Sequence, residues 1–234
     1  MFPRTAAQRK RRSAAPNSEC DVKKTLRITK TCNAGVLIEY GSARALFDGV
    51  CGEVPPYAGT PAHIRRELSE DIPDIVAFTH THPDHWDGSF ARAAFIGGRC
   101  AVLMPGGQST ASCGDLMKVS AVRTRHLGKP DFPHVSYLLS IQDRTVWIAG
   151  DASPDSLVSS MGPVRPDIAV VPYSYLLTAS AAEKISAAGA KTVIVVHMPA
   201  EGPETAELTD SVRANAHLVP GTVFPETGET LAFE

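Results

Sequence analysis

Apolar positions along this chain fall into two rhythms. Over 26–32, 35–40 and 44–50 they alternate with polar residues or run together with β-branched ones, and Gly41-Ser42 separates the second run from the third, which predicts a three-strand meander. Further strands are expected at 72–78, 100–104, 120–126, 135–141, 145–148, 167–173, 192–197 and 228–233. The run Thr-Val-Ile-Val-Val-His at 192–197 is continuous and β-branched, as in a strand covered on both faces. Helical spacing marks 61–70, with Thr60 as N-cap and Pro61 at the first helical position, and also 90–96, 153–161, 178–189 and 203–216. The glycine- and serine-containing segment 106–118 reads as a loop, as does 51–60, whose Cys51 and Tyr57 are candidates to touch a ligand. About a dozen strands with interspersed helices and no internal repeat imply a mixed α/β fold, and periodicity alone goes no further.

Length and composition narrow the picture. A chain of 234 residues buries the core of one domain, expected over 25–234. Residues 1–24, with the basic run Arg9-Lys10-Arg11-Arg12, read as a solvated, disordered tail lacking the apolar stretch of a signal peptide. No segment is long and apolar enough to span a membrane, so no membrane association is expected. A net charge of -2 leaves no electrostatic footprint for nucleic acid, and none is expected as a partner. The five cysteines, Cys20, Cys32, Cys51, Cys100 and Cys113, are odd in number and form no Cys-x-x-Cys pair. They indicate neither a disulfide framework nor a thiolate zinc site, and a reducing cytoplasm suits them.

The chemistry is concentrated in 75–89, Ile-Val-Ala-Phe-Thr-His-Thr-His-Pro-Asp-His-Trp-Asp-Gly-Ser. An apolar strand runs out at Thr79, and His80, His82, Asp84 and His85 follow within six residues. Two histidines two apart at a strand end project from one side, and imidazole with carboxylate is the donor set that zinc, manganese and iron accept. Three more strand ends carry such donors: His126, Asp151 after Gly150, and His197.

His80-Thr81-His82-Pro83-Asp84-His85 resembles the His-x-His-x-Asp-His signature of the metallo-β-lactamase superfamily, and Asp-His-Trp-Asp-Gly looks more like its small lactonase and phosphodiesterase members. The resemblance implies an αββα sandwich. It assigns His80, His82 and His126 to one divalent ion and Asp84, His85 and His197 to a second, bridged by Asp151; zinc is the first choice, with manganese or iron compatible. Solvent shared by two such ions ionises near neutral pH, and its hydroxide attacks a carbonyl or phosphoryl centre. In that scheme Asp84 and Asp151 are catalytic as well as ligating. Asp48 occupies the place of an aspartate that supports the metal loop in relatives, although a turn aspartate before glycine fits the sequence equally.

His134, ahead of the strand at 135–141, is the rival to His126 as third ligand; if His126 ligates, His134 is a candidate general acid at the rim. Trp86 is a candidate pocket wall, and Tyr173 and Tyr175 are candidate rim residues, with Tyr175 favoured for substrate binding. The expected activity is hydrolysis of a small ester, lactone or phosphodiester by a cytoplasmic enzyme that can pair as a homo-oligomer. A mononuclear iron oxygenase of the persulfide dioxygenase type and a non-catalytic metal-binding regulator are the alternatives.

Overall fold

The computed structural model describes residues 24–98 and 100–234, so nearly all of the basic tail expected at 1–24, with Cys20, lies outside the described residues. Among them are thirteen strands, five α-helices and two short 3₁₀ turns. The first sheet takes β1 (Leu26–Lys30), β2 (Val36–Tyr40), β3 (Ala43–Phe47), β4 (Ile75–Ala77), β5 (Ala101–Leu103) and the closing β13 (Thr230–Phe233), in the order β13-β1-β2-β3-β4-β5. The second takes β6 (Thr110–Cys113), β7 (Met117–Arg123), β8 (Val135–Ile141), β9 (Arg144–Ile148), β10 (Ile168–Pro172), β11 (Thr192–Val196) and β12 (Thr222–Val223), in the order β12-β11-β10-β9-β8-β7-β6. Each sheet joins an antiparallel meander to a parallel half. β3, β4 and β5 are parallel in the first, and β9, β10, β11 and β12 in the second.

Alternation along the strands divides the apolar side chains between two faces. In β9, Val146 and Ile148 point into the layer between the sheets, where they meet Phe47, Tyr137 and Leu139, while Trp147 points outward. Outside the second sheet, Leu157 and Met161 of α3 (Pro154–Met161), Ala182 and Ile185 of α4 (Ala179–Ala188) and Val212 of α5 (Ala206–Ala214) cover Trp147, Val171 and Val195. Outside the first, Ile64 and Leu68 of α1 (Ala62–Glu70) and Phe90, Ala91 and Ala94 of α2 (Gly88–Gly97) cover Leu46, Val76 and Phe78. The result is helix, sheet, sheet, helix: the αββα sandwich. No described helix is long and apolar enough to cross a membrane.

Three local readings need correction. The segment 106–118 is a hairpin and not a loop: β6 pairs antiparallel with β7, which starts at Met117. Thr60 does not cap α1, whose N-cap position is Pro61 with no side-chain bond. Its hydroxyl instead accepts the Cys51 N–H at 2.9 Å and so pins the loop after β3. The strand expected at 120–126 ends at Arg123, and His126 makes only an isolated bridge with Ala152.

Candidate metal centre

Strands of both sheets run out toward one edge, and the polar residues there lie just past their ends. β4 leads to His80, His82, Asp84 and His85; β7, β9 and β11 of the other sheet lead to His126, Asp151 and His197. Two of these exits turn sharply through left-handed backbone, Gly150 after β9 at φ 56° and His197 after β11 at φ 63°, and so does Asp48 at the neighbouring exit from β3, at φ 46°. Such a step is uncommon for a residue with a side chain and marks positions that the surroundings hold in place. Gly150 has a second reason to be glycine, because a Cβ there would lie 2.6 Å from the Thr79 side chain. The close approach seats the Asp151 turn directly on the turn that carries His80.

Seven donor side chains converge in two groups, His80, His82, His126 and Asp151 in one and Asp84, His85 and His197 in the other, with the donor atoms of each within 4.8 Å of one another. In the first, His82 Nδ1 lies 3.0 Å from His80 Nε2 and 3.3 Å from His126 Nε2. Asp151 Oδ2 is 3.9 Å from His80 Nε2 and 3.7 Å from His126 Nε2. In the second, Asp84 Oδ2 is 3.2 Å from His197 Nε2 and 3.9 Å from His85 Nε2. Asp151 reaches this group with its other oxygen: Oδ1 is 3.4 Å from His85 Nε2 and 3.7 Å from His197 Nε2. Around a tetrahedral zinc with bonds of about 2.0–2.1 Å, neighbouring donors are roughly 3.3 Å apart. Both groups have that scale, and one carboxylate straddles them.

Hydrogen bonding behind three of the donors, His80, His85 and His126, occupies Nδ1 and turns Nε2 of each ring inward. Asp48, 1% exposed, accepts the Thr79 N–H at 2.8 Å and the Thr79 hydroxyl at 2.6 Å. With its proton committed to Asp48, the Thr79 oxygen accepts from His80 Nδ1 at 3.0 Å, which fixes the tautomer and turns the Nε2 lone pair inward. His85 Nδ1 donates to the same Asp48 at 2.9 Å, and His126 Nδ1 to the Leu127 carbonyl at 2.5 Å. His85 Nε2 and both ring nitrogens of His197 are buried with no hydrogen-bond partner. Buried polar atoms are normally satisfied, and the two unpartnered Nε2 atoms face carboxylates, an arrangement that fits a cation.

Burial alone would strip His85 of charge, but Asp151 and Asp48 outweigh it and hold its pKa well above the ordinary histidine value. Burial likewise opposes charge on Asp151, yet His85 and His197 hold it well below the usual carboxylate range. Positive charge is favoured at the second donor group.

The structure brings together the seven side chains expected to ligate and separates two rivals. His126 is in the donor set and His134 is not. His134, 3% exposed, gives Nδ1 to the Thr124 hydroxyl at 2.8 Å and accepts the Asp151 N–H on Nε2 at 3.1 Å. Burial pushes its pKa down to about 3. Both of its nitrogens are engaged, and it lies buried against the Asp151 backbone and not at the rim.

Tyr175 is corrected too, being fully buried with its hydroxyl donated to the Ala152 carbonyl at 2.8 Å. Tyr173 takes the rim, its hydroxyl 3.1 Å from that of Tyr57, whose ring stands edge-on to His197 at 4.3 Å. Trp86 packs edge-on against Phe78 at 4.8 Å, and Cys51 is buried. Three residues not anticipated complete the surroundings. Asn33 donates to Asp84 Oδ2 at 3.4 Å and accepts the His197 N–H at 2.8 Å. Phe132 lies against His82 at 4.4 Å, and the Lys129 ammonium is 3.3 Å from His82 Nε2. No spacing rule signals any of them, because each acts from a loop.

No sequence-family profile matches this chain, and no curated protein does. Solved structures do. The metallo-β-lactamase fold protein YhfI from Bacillus subtilis is similar with a TM-score of 0.61 at 15% identity, over 90% of this chain and 100% of that one. The metallo hydrolase Igni18 from Ignicoccus hospitalis gives 0.60 at 17%, over 90% and 99%. An isothiocyanate hydrolase from Delia radicum gut bacteria gives 0.61 at 18%, over 88% and 99%. At such identities the likeness is one of fold.

Proposed function

We propose that this chain, which carries the metallo-β-lactamase fold, is a metal-dependent hydrolase whose seven donors hold two divalent ions. His80, His82 and His126 hold the first, Asp84, His85 and His197 the second, and Asp151 bridges them. The observation that carries this reading is the Asp151 carboxylate, with Oδ2 facing one donor group and Oδ1 the other. When bound, the ions supply Lewis acidity, which lowers the pKa of solvent and polarises a carbonyl or phosphoryl group. Zinc suits the nitrogen and oxygen donors, and manganese or iron(II) is accepted by the same set.

The remaining work belongs to the protein. Asp48, through Thr79 and directly, keeps His80 and His85 in the ligating tautomer. His134 holds the Asp151 backbone so that the carboxylate stays between the two groups. The paired hydroxyls of Tyr57 and Tyr173 stand beside His197, placed to donate hydrogen bonds to a substrate oxygen over the second group. The substrates best matched are a small ester, lactone or phosphodiester. Convergence of Asp84, His85 and His197 into a second donor group favours this reading over a mononuclear oxygenase.

Elemental analysis of freshly purified protein is the direct test. About two zinc or manganese ions per chain agree with the reading, whereas a single iron that no added metal supplements contradicts it. Asp151→Ala is expected to cut turnover of bis(p-nitrophenyl) phosphate or a chromogenic lactone by about a hundredfold or more while the fold survives. Equal activity in that variant and the parent refutes the bridged centre.

A further inference from the structure

Beside the metal centre runs an open groove of about 1190 Å³. It adjoins the donor set through two side chains already described, Phe132, which packs on His82, and His134, which holds Asp151. Arg123, the last residue of β7, and Arg125 just beyond it both line the groove and both are exposed. Neither guanidinium is ion-paired among the described residues.

Of the two carboxylates lining the groove, Asp155 is paired with Lys184 at 2.7 Å, which leaves Asp131 beside two guanidinium groups. Lys129, at the boundary with the donor set, adds a further positive charge. Ser153 and Ser156 line the groove as well. Their oxygens already accept backbone N–H groups, Ser156 from Arg125 at 2.7 Å and Ser153 from Ser156 at 3.3 Å. Their hydroxyl protons have no acceptor among the described residues. Two planar guanidinium forks and two spare O–H donors around one space call for a ligand rich in acceptor oxygens and negative charge, and phosphate meets that description.

We propose that this groove seats a phosphate-bearing arm of a small-molecule substrate whose scissile bond lies over the seven-donor centre. The inference rests on the hydrolase reading for the location of the bond, and on the groove alone for the phosphate. Among esters, lactones and phosphodiesters, it selects substrates that carry a phosphate group. Arg123 and Arg125 are then specificity-determining residues, set apart from the metal donors by Phe132.

The test is calorimetric titration of inorganic tripolyphosphate into the full-length protein, before and after metal removal with dipicolinate. Binding is expected to persist in the stripped protein and to weaken with added sodium chloride. It should fall at least tenfold in R123A/R125A and recover in part in R123K/R125K, with unchanged circular dichroism throughout. Absence of binding to the stripped parent, or equal affinity in the parent and folded R123A/R125A, overturns the proposal. Tighter binding of a single-stranded 20-nucleotide DNA through the same arginines also overturns it, in favour of a nucleic-acid ligand. Failure of the hydrolase reading has a separate signature, the lack of turnover with both ions loaded, which this titration does not read.

Discussion

Asp48→Asn separates metal binding from folding. The wild-type carboxylate is almost wholly buried and accepts three hydrogen bonds, from Thr79 N–H on Oδ1 and from the Thr79 hydroxyl and His85 Nδ1 on Oδ2. Asparagine keeps the shape. Its oxygen retains the Thr79 N–H, and an NH₂ group now stands where Oδ2 was. The Thr79 hydroxyl can rotate away, but His85 must become an acceptor at Nδ1, which moves its proton to Nε2 and points N–H at the second donor group.

Coordination there requires the opposite tautomer and leaves two N–H groups facing each other. The loss is that of one charge-assisted hydrogen bond, about 1.5–3 kcal/mol. At about 1.4 kcal/mol per factor of ten, the second ion should bind roughly 10- to 150-fold more weakly. His80 is one bond further removed, so the first ion should be much less affected. Competition with a chromogenic chelator, fitted to two sites, reads both constants, and urea denaturation reports whether the fold persists. Two ions bound within threefold of wild-type affinity in a folded variant would refute the tautomer argument.

Other consequences are more local. Gly150→Ala forces a methyl group within 2.6 Å of Thr79 at a backbone φ of 56°, and a loss of about 2–4 kcal/mol is expected in denaturant unfolding. Tyr175→Phe removes a buried hydroxyl that donates to the Ala152 carbonyl; it should cost about 1 kcal/mol of stability and leave KM unchanged, whereas a raised KM would return Tyr175 to the rim. Lys191 at 2.7 Å and the Thr145 N–H at 2.9 Å outweigh burial and lower the pKa of Asp167. Its contribution is therefore complete above the unfolded value of about 3.9 and fades as pH falls below it, so Asp167→Asn should flatten the acid limb of the stability profile in that range.

What was legible in the sequence follows from how each feature is encoded. Four of the donor side chains, at 80–85, sit beside one another, and the other three follow strands, so order along the chain nearly equals order in space. The four layers follow from strands such as β9, whose alternate residues face different clusters. β6 was hidden because it is an edge strand whose residues, Thr-Ala-Ser-Cys, bury only Ala111; backbone pairing with β7 holds it, and apolar pattern does not. Tyr175 was misplaced because a 3₁₀ turn over Tyr173–Leu176 rotates it inward and leaves Tyr173 at the edge. The surroundings of His134 are illegible for a different reason: its partner is the Asp151 N–H, seventeen residues away, and spacing carries no information about such a contact.

The donor set is divided between the two sheets, with His80, His82, Asp84 and His85 following β4 on one side and His126, Asp151 and His197 following β7, β9 and β11 on the other. An ion held by both is a cross-link that the unfolded chain cannot form, so its binding energy is also cohesion between the layers. At a free concentration one hundred times the dissociation constant, one such ion adds about 2.7 kcal/mol to stability, a sizeable fraction of what keeps a domain folded. The surrounding metal supply would then govern the lifetime of the chain as well as its turnover, and starvation for the ion would be felt first as loosening of the sandwich along the edge where the sheets meet.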